Sequence, residues 1–258
     1  NGVDPVDFMF LHTLVNGPQF YEAWGVLGDV DYFENDLSIY CTISRRINDN
    51  IWMRVQENIL PNVTQSGAVH TADGKQTRYF GRNTFFRWCV PVDDTHTKVV
   101  AWANFGPRTD PIEWNSPENI ETLEQGELFD RPPDELQRNP GDYEAMVGQG
   151  SIVIHAKENR VTSDKGVAMF RNRLRKDIRA FQQGQKTLQP GQLGPMPIPT
   201  WSGDTVLQIP LKDGIDDKAM SAKMFESLKA ILTDAQSLRG DDRDRVIIQR
   251  LKTLEAET

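Results

Sequence analysis

The stretch from residue 38 to residue 59, SIYCTISRRINDNIWMRVQENI, carries the strongest fold signal in the sequence. Aromatic and β-branched side chains recur along both of its halves, which predicts strands at residues 36–47 and 50–59. The polar residues 48–50 (NDN) between the two halves are typical of a turn. The stretch therefore predicts a β-hairpin.

The same pattern extends to both sides of this hairpin. Further strands are predicted near residues 22–33, 64–71, 77–91 and 96–106. The turn signal at residues 93–95 (DDT) predicts another hairpin, joining the segments before and after it. Sequential hairpins at this regular spacing indicate one antiparallel meander.

An amphipathic helix is predicted after Ser163, which is a suitable N-cap residue. Apolar side chains recur at three- and four-residue steps and end before Gly184; they are Val167, Phe170, Leu174, Ile178 and Phe181. The polar side is basic, with Arg171, Arg173, Arg175, Lys176 and Arg179. We interpret that side as a solvated face, with docking of an acidic partner as the alternative.

The segments between and after these elements complete the prediction of the fold class. Residues 107–141 and 185–215 are rich in Pro and polar residues or in Pro and Gly, which predicts loops. Two more helices are predicted near residues 216–237 and 242–256. Strands followed by helices are typical of an α+β domain, and 258 residues suffice for one substantial core.

Charge and hydropathy exclude several classes of protein. The chain has 29 basic and 37 acidic residues, a net charge of −8, which argues against nucleic acid or an anionic membrane as the main partner. No apolar run approaches the roughly 20 residues that span a bilayer. The first residues lack the pattern of a signal peptide, so we expect a cytoplasmic protein.

The two cysteines, Cys41 and Cys89, lie in apolar, strand-like contexts. We expect both to be buried free thiols, with a disulfide or a reactive thiol as the less favoured alternative. Neither has a histidine two or three residues away. A Cys2His2 iron–sulfur cluster therefore cannot be held by this chain alone.

The four histidines are the candidate metal ligands. Two histidines and one carboxylate suit non-haem Fe(II) and leave positions open for oxygen and substrate. His70 and His96 lie beside predicted turns and are expected to be exposed, whereas His155 follows an apolar run and is a candidate core histidine. His12 also follows an apolar run, and its residue type allows either a structural role or a metal ligand.

Residues 1–12 (NGVDPVDFMFLH) resemble the Asn-x-x-Asp-x-x-His-x-x-x-x-His motif of Rieske-type aromatic-ring-hydroxylating oxygenases. The match is most similar to the branch of phthalate dioxygenases and aromatic O-demethylases. Further similar segments follow in family order and cover most of the chain: residues 49–52 (DNIW), 59–62 (ILPN), 91–97 (PVDDTHT), 140–145 (PGDYEA) and 164–169 (DKGVAM). Each segment is weakly specific alone, and together they are specific.

The resemblance implies a set of site residues. His12 aligns with the second histidine ligand of the catalytic mononuclear iron, and Asp142 aligns with its carboxylate ligand. Asp4 aligns with the aspartate that bridges between this iron and the cluster of a neighbouring subunit. The first iron-binding histidine is replaced by Asp7, a carboxylate that is itself able to bind Fe(II). Without the resemblance, Asp142 would be interpreted as an ordinary helix N-cap.

The resemblance also implies a fold and a function. The fold would be a single helix-grip (START-like) domain over residues 1–258, with an antiparallel sheet wrapping a long C-terminal helix. The activity would be hydroxylation or demethylation of a small aromatic compound with O2. Electrons would come from NAD(P)H through a reductase or ferredoxin and a [2Fe-2S] cluster outside this chain, in a homo- or hetero-trimer or hexamer.

The sequence leaves two alternative functions open. Asp7 and the absence of cluster ligands in this sequence favour a degenerate structural or regulatory subunit paired with an active paralogue. The third reading is a metal-free module that binds a small ligand in the cavity.

Overall fold

The strand from Asn50 to Ile59 has three hydrogen-bonded neighbours and organises the sheet. The structure is a computed structural model, and it describes residues 28–66, 78–83, 85–103, 132, 134, 152, 154–188, 190–195 and 197–258. Within them an eight-stranded antiparallel sheet is combined with three α-helices. This arrangement confirms the predicted α+β class.

The strands are β1 (Asp29–Glu34), β2 (Ser38–Ile47), β3 (Asn50–Ile59), β4 (Val63–Ser66), β5 (Tyr79–Arg82), β6 (Phe85–Pro91), β7 (Thr97–Ala103) and β8 (Gly203–Gln208). The helices are α1 (Lys165–Gln182), α2 (Asp217–Asp234) and α3 (Gly240–Glu257). The main path of the sheet is β1-β2-β3-β4-β6-β7. One edge of β3 is divided between two strands, because its end pairs with β4 while its beginning pairs with β8.

A close approach of two strands depends on Gly203. β8 pairs with β5 as well as with β3, and Gly203 stands opposite Arg82. A Cβ atom at position 203 would lie 2.5 Å from the carbonyl oxygen of Gly81, which is closer than real Cβ atoms come to backbone. Only glycine therefore lets β5 and β8 pair at this distance.

One face of the sheet carries the main apolar core. Alternate residues of β3, including Met53 and Val55, point to this face and pack against α2 and α3. The helices contribute side chains that include Met224, Leu228 and Leu251, each 1% exposed or less. The last two helices are thus held to the sheet by apolar contact.

The opposite face is covered in part by α1. Cys41 and Ile43 of β2 pack with Tyr32 of β1, and Met169 of α1 packs against them. The hydroxyl of Tyr32 donates a hydrogen bond to the carbonyl oxygen of Ser163, just before the helix, at 2.6 Å. Helices therefore lie on both faces of the sheet.

Several local predictions are confirmed. The turn at residues 93–95 joins β6 to β7, and α2 and α3 lie where two C-terminal helices were expected. The first helix ends as predicted, since Gly184 follows it with φ +76°, a conformation that favours glycine. It begins one residue later than expected, with Asp164 rather than Ser163 at the N-cap position.

Other predictions were wrong. β8 lies inside the predicted loop at residues 185–215, because a strand of six residues between Pro and Gly gives little periodic signal. The predicted strand at residues 77–91 is two strands, of which the first pairs with β8 and not with β4. Cys89 was expected to be buried and is exposed, whereas Cys41 is buried as predicted. His155, a candidate core histidine, is exposed.

Among the described helices, none has the length and apolar character required to cross a membrane.

Candidate functional site

The four residues that the family resemblance implies for the iron site lie outside the described residues. They are Asp4, Asp7, His12 and Asp142. Their roles therefore remain predictions. Of the other histidines, His70 also lies outside, while His96 and His155 are exposed in the structure.

The described part of the chain offers no alternative metal centre. Nowhere in it do three or more His, Cys, Asp or Glu side chains come together as they would around a metal ion.

A buried ionic cluster occupies the centre of the sheet, on the face that carries α1. Arg54 of β3 stands opposite Asp204 of β8. The guanidinium donates two hydrogen bonds to the carboxylate, from Nε at 2.7 Å and from an Nη atom at 2.9 Å. Trp52 donates a third through its indole nitrogen, at 3.1 Å. This bidentate geometry is the strong form of an arginine–carboxylate pair.

A second arginine lies against the same tryptophan. Arg45 of β2 stands opposite Trp52, with its guanidinium carbon 4.7 Å from the centre of the tryptophan ring, and the guanidinium carbon of Arg54 lies at 4.9 Å. Burial, and then the charge of Arg54, lower the pKa of Arg45 to about 10, while Asp204 opposes the shift. Arg45 therefore stays positively charged at neutral pH. The cluster is a desolvated, charged centre at the junction of β2, β3 and β8.

A second buried polar group lies on the core face. Glu57 of β3 accepts hydrogen bonds from the hydroxyl of Ser38 at 2.7 Å and from the backbone nitrogen of Trp201 at 2.8 Å. Burial raises the pKa of Glu57, and hydrogen bonds that include one from Tyr40 oppose the shift. The pKa of Tyr40 is raised as well, first by burial and then by the charge of Glu57. Glu57 thus ties β2, β3 and the segment before β8 together.

Arg243 of α3 completes this network. One of its Nη atoms donates to the carbonyl oxygen of Thr200 at 2.8 Å, and its charge acts on Glu57. Burial lowers the pKa of Arg243, while Asp244 and Glu57 oppose the shift. Both Glu57 and Arg243 are more than nine-tenths buried. The network is suited to fixing the start of α3 on the sheet.

Neither cluster is apparent from the sequence. Arg54 and Asp204 are 150 residues apart in the chain, and Glu57 and Trp201 are 144 apart, so no local spacing connects them. The sequence did show charged residues, Arg54 and Glu57, within the β3 segment. A charged residue inside a buried strand indicates that a partner is present, but it does not identify the partner.

Comparison with known proteins gives two curated relatives. The chain is 29% identical over 252 residues to the oxygenase subunit of the tert-butanol monooxygenase / tert-amyl alcohol desaturase of Aquincola tertiaricarbonis, covering 94% of this chain and 53% of that protein. It is 29% identical over 191 residues to the alpha subunit of phenoxybenzoate dioxygenase of Ectopseudomonas oleovorans, covering 71% of this chain and 42% of that protein. No protein-family model matches the chain.

Both relatives are named as oxygenase subunits, which supports the resemblance to Rieske-type oxygenases at the level of an oxygenase subunit. The α+β architecture is consistent with this similarity. The chain spans about half the length of the curated relatives it matches or less, at 53% and 42%. The chain is therefore similar to part of an oxygenase subunit.

Proposed function

We propose that the chain is the catalytic domain of the oxygenase component of a Rieske-type non-haem iron oxygenase, which hydroxylates or demethylates a small aromatic compound with O2. The observation that carries the proposal is the similarity over 94% of the chain to an oxygenase subunit. The motif at residues 1–12 supports the assignment to the phthalate dioxygenase and O-demethylase branch. The helix-grip fold belongs to the same proposal, and the packing of α2 and α3 on one sheet face supports it.

In this proposal Fe(II) is held by His12, Asp142 and Asp7. One imidazole and two carboxylates are donors that ferrous iron accepts, so the residue types fit the metal. The second carboxylate adds negative charge, which stabilises ferric over ferrous iron more than a histidine would. Asp4 conducts electrons from a [2Fe-2S] cluster to this site.

Ferrous iron, when bound, supplies the oxygen chemistry. The cluster comes from another domain or subunit, and a reductase or ferredoxin that draws on NAD(P)H reduces it. The chain's own part is to hold the metal, to receive electrons through Asp4 and to keep the aromatic substrate in an apolar pocket. The partners are further copies or paralogues in a trimer or hexamer, and we place the protein in the cytoplasm.

Iron binding tests the proposal directly. After anaerobic incubation with ferrous iron and desalting, the protein should retain about one iron per chain, as expected for a mononuclear site. His12→Ala and Asp142→Ala should abolish retention. His96→Ala is the matched control, because His96 is exposed on a hairpin turn and should leave the iron content unchanged. Equal retention in His12→Ala and the unmodified protein would refute the site.

A second function is favoured by one specific observation, the aspartate at position 7. In a degenerate subunit that supports an active paralogue, the iron site would no longer be needed and a ligand histidine would be free to change. The Asp7→Ala and Asp7→His variants together separate the two functions. Loss of iron in Asp7→Ala supports the enzyme, whereas no retention in the unmodified protein together with uptake by Asp7→His supports the degenerate subunit.

A further inference from the structure

Two buried polar side chains lie on the sheet face that carries α1. Gln56 of β3 is 8% exposed, and Ser202, just before β8, is 2% exposed. Within the described part of the chain, neither Oε1 of Gln56 nor Oγ of Ser202 has a hydrogen-bond partner. Burial without a partner costs stability, so such atoms are rare in folded proteins and two of them together require an explanation.

The two side chains are neighbours on this face. β3 and β8 pair in antiparallel register, with Arg54 opposite Asp204. Two residues further in the same register, Gln56 comes opposite Ser202. Because side chains alternate between the faces of a sheet, both lie on the face of the Arg54–Asp204 pair. Directly opposed side chains have Cβ atoms about 5 Å apart, so one small group is able to bond with both unpartnered atoms.

The surroundings restrict the chemistry of the group that binds there. Oε1 of Gln56 is an acceptor, so the group must donate a hydrogen bond, which a carboxylate cannot do. An ammonium group would donate, but the guanidinium of Arg54 lies two residues away on the same strand and would repel it. A neutral hydroxyl meets both requirements, since it donates to Gln56 and accepts from the hydroxyl of Ser202.

Apolar side chains lie beside the pair. Cys41 of β2 stands opposite Gln56 and is 0% exposed, and Ile43 stands opposite Arg54 and is 2% exposed. A few polar groups within apolar surroundings are typical of a site that binds and orients a small organic molecule.

We propose that the substrate of the oxygenase is an aromatic compound with a hydroxyl group, which donates a hydrogen bond to Oε1 of Gln56 and accepts one from Oγ of Ser202. The two residues determine specificity and take no part in the oxygen chemistry. This inference rests on the proposed function, because it takes the bound molecule to be the substrate, and it narrows the class of that substrate.

A matched pair of ligands tests the proposal. Para-fluorophenol and para-fluorotoluene differ by a hydroxyl in place of a methyl group, and fluorine NMR detects weak binding of either to the unmodified protein. We expect a dissociation constant on the order of 1 mM for para-fluorophenol, as is usual for so small a ligand. Para-fluorotoluene should bind about tenfold more weakly, because it leaves both atoms unpartnered.

Two substitutions should reduce this preference and also stabilise the protein without ligand. Gln56→Met and Ser202→Ala each replace an unpartnered polar atom by an apolar group. Each should reduce the preference by about threefold or more and raise the thermal unfolding temperature by about 2–4 °C. Ser202→Ala keeps the backbone nitrogen that donates to Glu57. A purely structural role for either side chain would give the opposite result, a loss of stability with an unchanged preference.

Thr64→Val is the matched control, because it also removes a polar atom from this face, but one that has a partner. The hydroxyl of Thr64 donates to Oδ1 of Asn58, two residues after Gln56, at 3.0 Å. Its removal should lower the unfolding temperature and leave the preference for para-fluorophenol unchanged.

Any of four results would contradict the proposal. They are no binding of para-fluorophenol, equal binding of the two ligands, an unchanged preference in both Gln56→Met and Ser202→Ala, and a lower unfolding temperature in both variants. The last would show that ordered water already satisfies the two atoms.

Iron retention separates this proposal from the proposed function. Equal binding of the two ligands by a protein that retains iron would refute the hydroxyl site alone. A preference for para-fluorophenol in a protein that retains no iron would refute the iron site alone.

Discussion

Met53 and Arg54 are neighbours in one strand, and both are buried, yet different interactions stabilise them in the interior. Met53 points to the sheet face that α2 and α3 cover, where its neighbours are apolar. Arg54 points to the other face, where Asp204 and Trp52 surround it. Burial stabilises Met53 in proportion to the area removed from water, whereas the stability of Arg54 depends on its partner. Equal burial therefore does not mean equal sensitivity to substitution.

Asp204→Ala should have the largest effect on stability. It removes the carboxylate that binds two nitrogens of Arg54 and leaves two buried arginines, Arg45 and Arg54, near each other. Breaking a buried ion pair from one side typically costs about 3–5 kcal/mol, and we expect about 4 kcal/mol in urea unfolding.

A double variant sharpens this test. R54M/D204A removes both charges of the pair, and replacement of a buried pair by apolar groups is often close to neutral, so it should recover part of the loss. Recovery should be incomplete, because Arg45 stays buried without the charge of Asp204. Asp213→Ala, at an exposed position, should change stability by less than about 0.5 kcal/mol. If R54M/D204A were less stable than Asp204→Ala, the Arg54–Asp204 pair would not be the interaction that stabilises this face of the sheet.

Leu251→Ala is the corresponding change on the apolar face. The side chain is fully buried between α3 and the sheet, and its truncation removes contact area and leaves a cavity. We expect a loss of about 3 kcal/mol, within the range of such substitutions. Leu211→Ala, at a 62% exposed position, should cost less than about 0.5 kcal/mol.

Glu57→Gln is expected to have the smallest effect on stability. It tests an ionisable group that lies on the otherwise apolar face of the sheet. Because burial raises the folded pKa of Glu57, the folded state holds its proton more tightly than the unfolded state. This contribution is complete below the unfolded pKa of about 4.3 and is lost as the pH rises through the folded pKa. Tyr40 and Arg243, the other titratable groups that act on Glu57, are present in both proteins.

The measurement is urea unfolding of the unmodified protein and Glu57→Gln between pH 4 and pH 8. The unmodified protein should lose stability relative to the variant as the pH rises, by on the order of 1 kcal/mol. A difference that is constant with pH, or that moves in the opposite direction, would show that the carboxyl does not titrate in this range.

The apolar face was far more predictable from the sequence than the ionic face. The aromatic and β-branched residues of β2 and β3 predict strands from local sequence, and the helical spacing of apolar residues around Leu251 predicts α3. Asp204 gives no such signal, because its strand is short and its partner is 150 residues away. His155 was a candidate core histidine because an apolar run precedes it, and the structure shows it exposed.

The candidate iron site shows the opposite balance. His12 and Asp142 carry no periodic signal of their own, and they were singled out by resemblance to a family motif. The described residues neither bring them together nor separate them, so the iron site stays a proposal. What the structure adds is the surrounding frame, including the two buried networks, which pattern alone did not reveal.

The divided edge of β3 has a consequence for synthesis of the protein. At typical translation rates of about 5–20 residues per second, β8 leaves the ribosome on the order of ten seconds after the strand it pairs with. During that interval the first half of the β3 edge is not paired with β8. Arg54 is then without the carboxylate of Asp204. Pairing over such a separation in the chain is intrinsically slow. The first half of this edge is therefore open to incorrect pairing with other strands until residues 203–208 emerge.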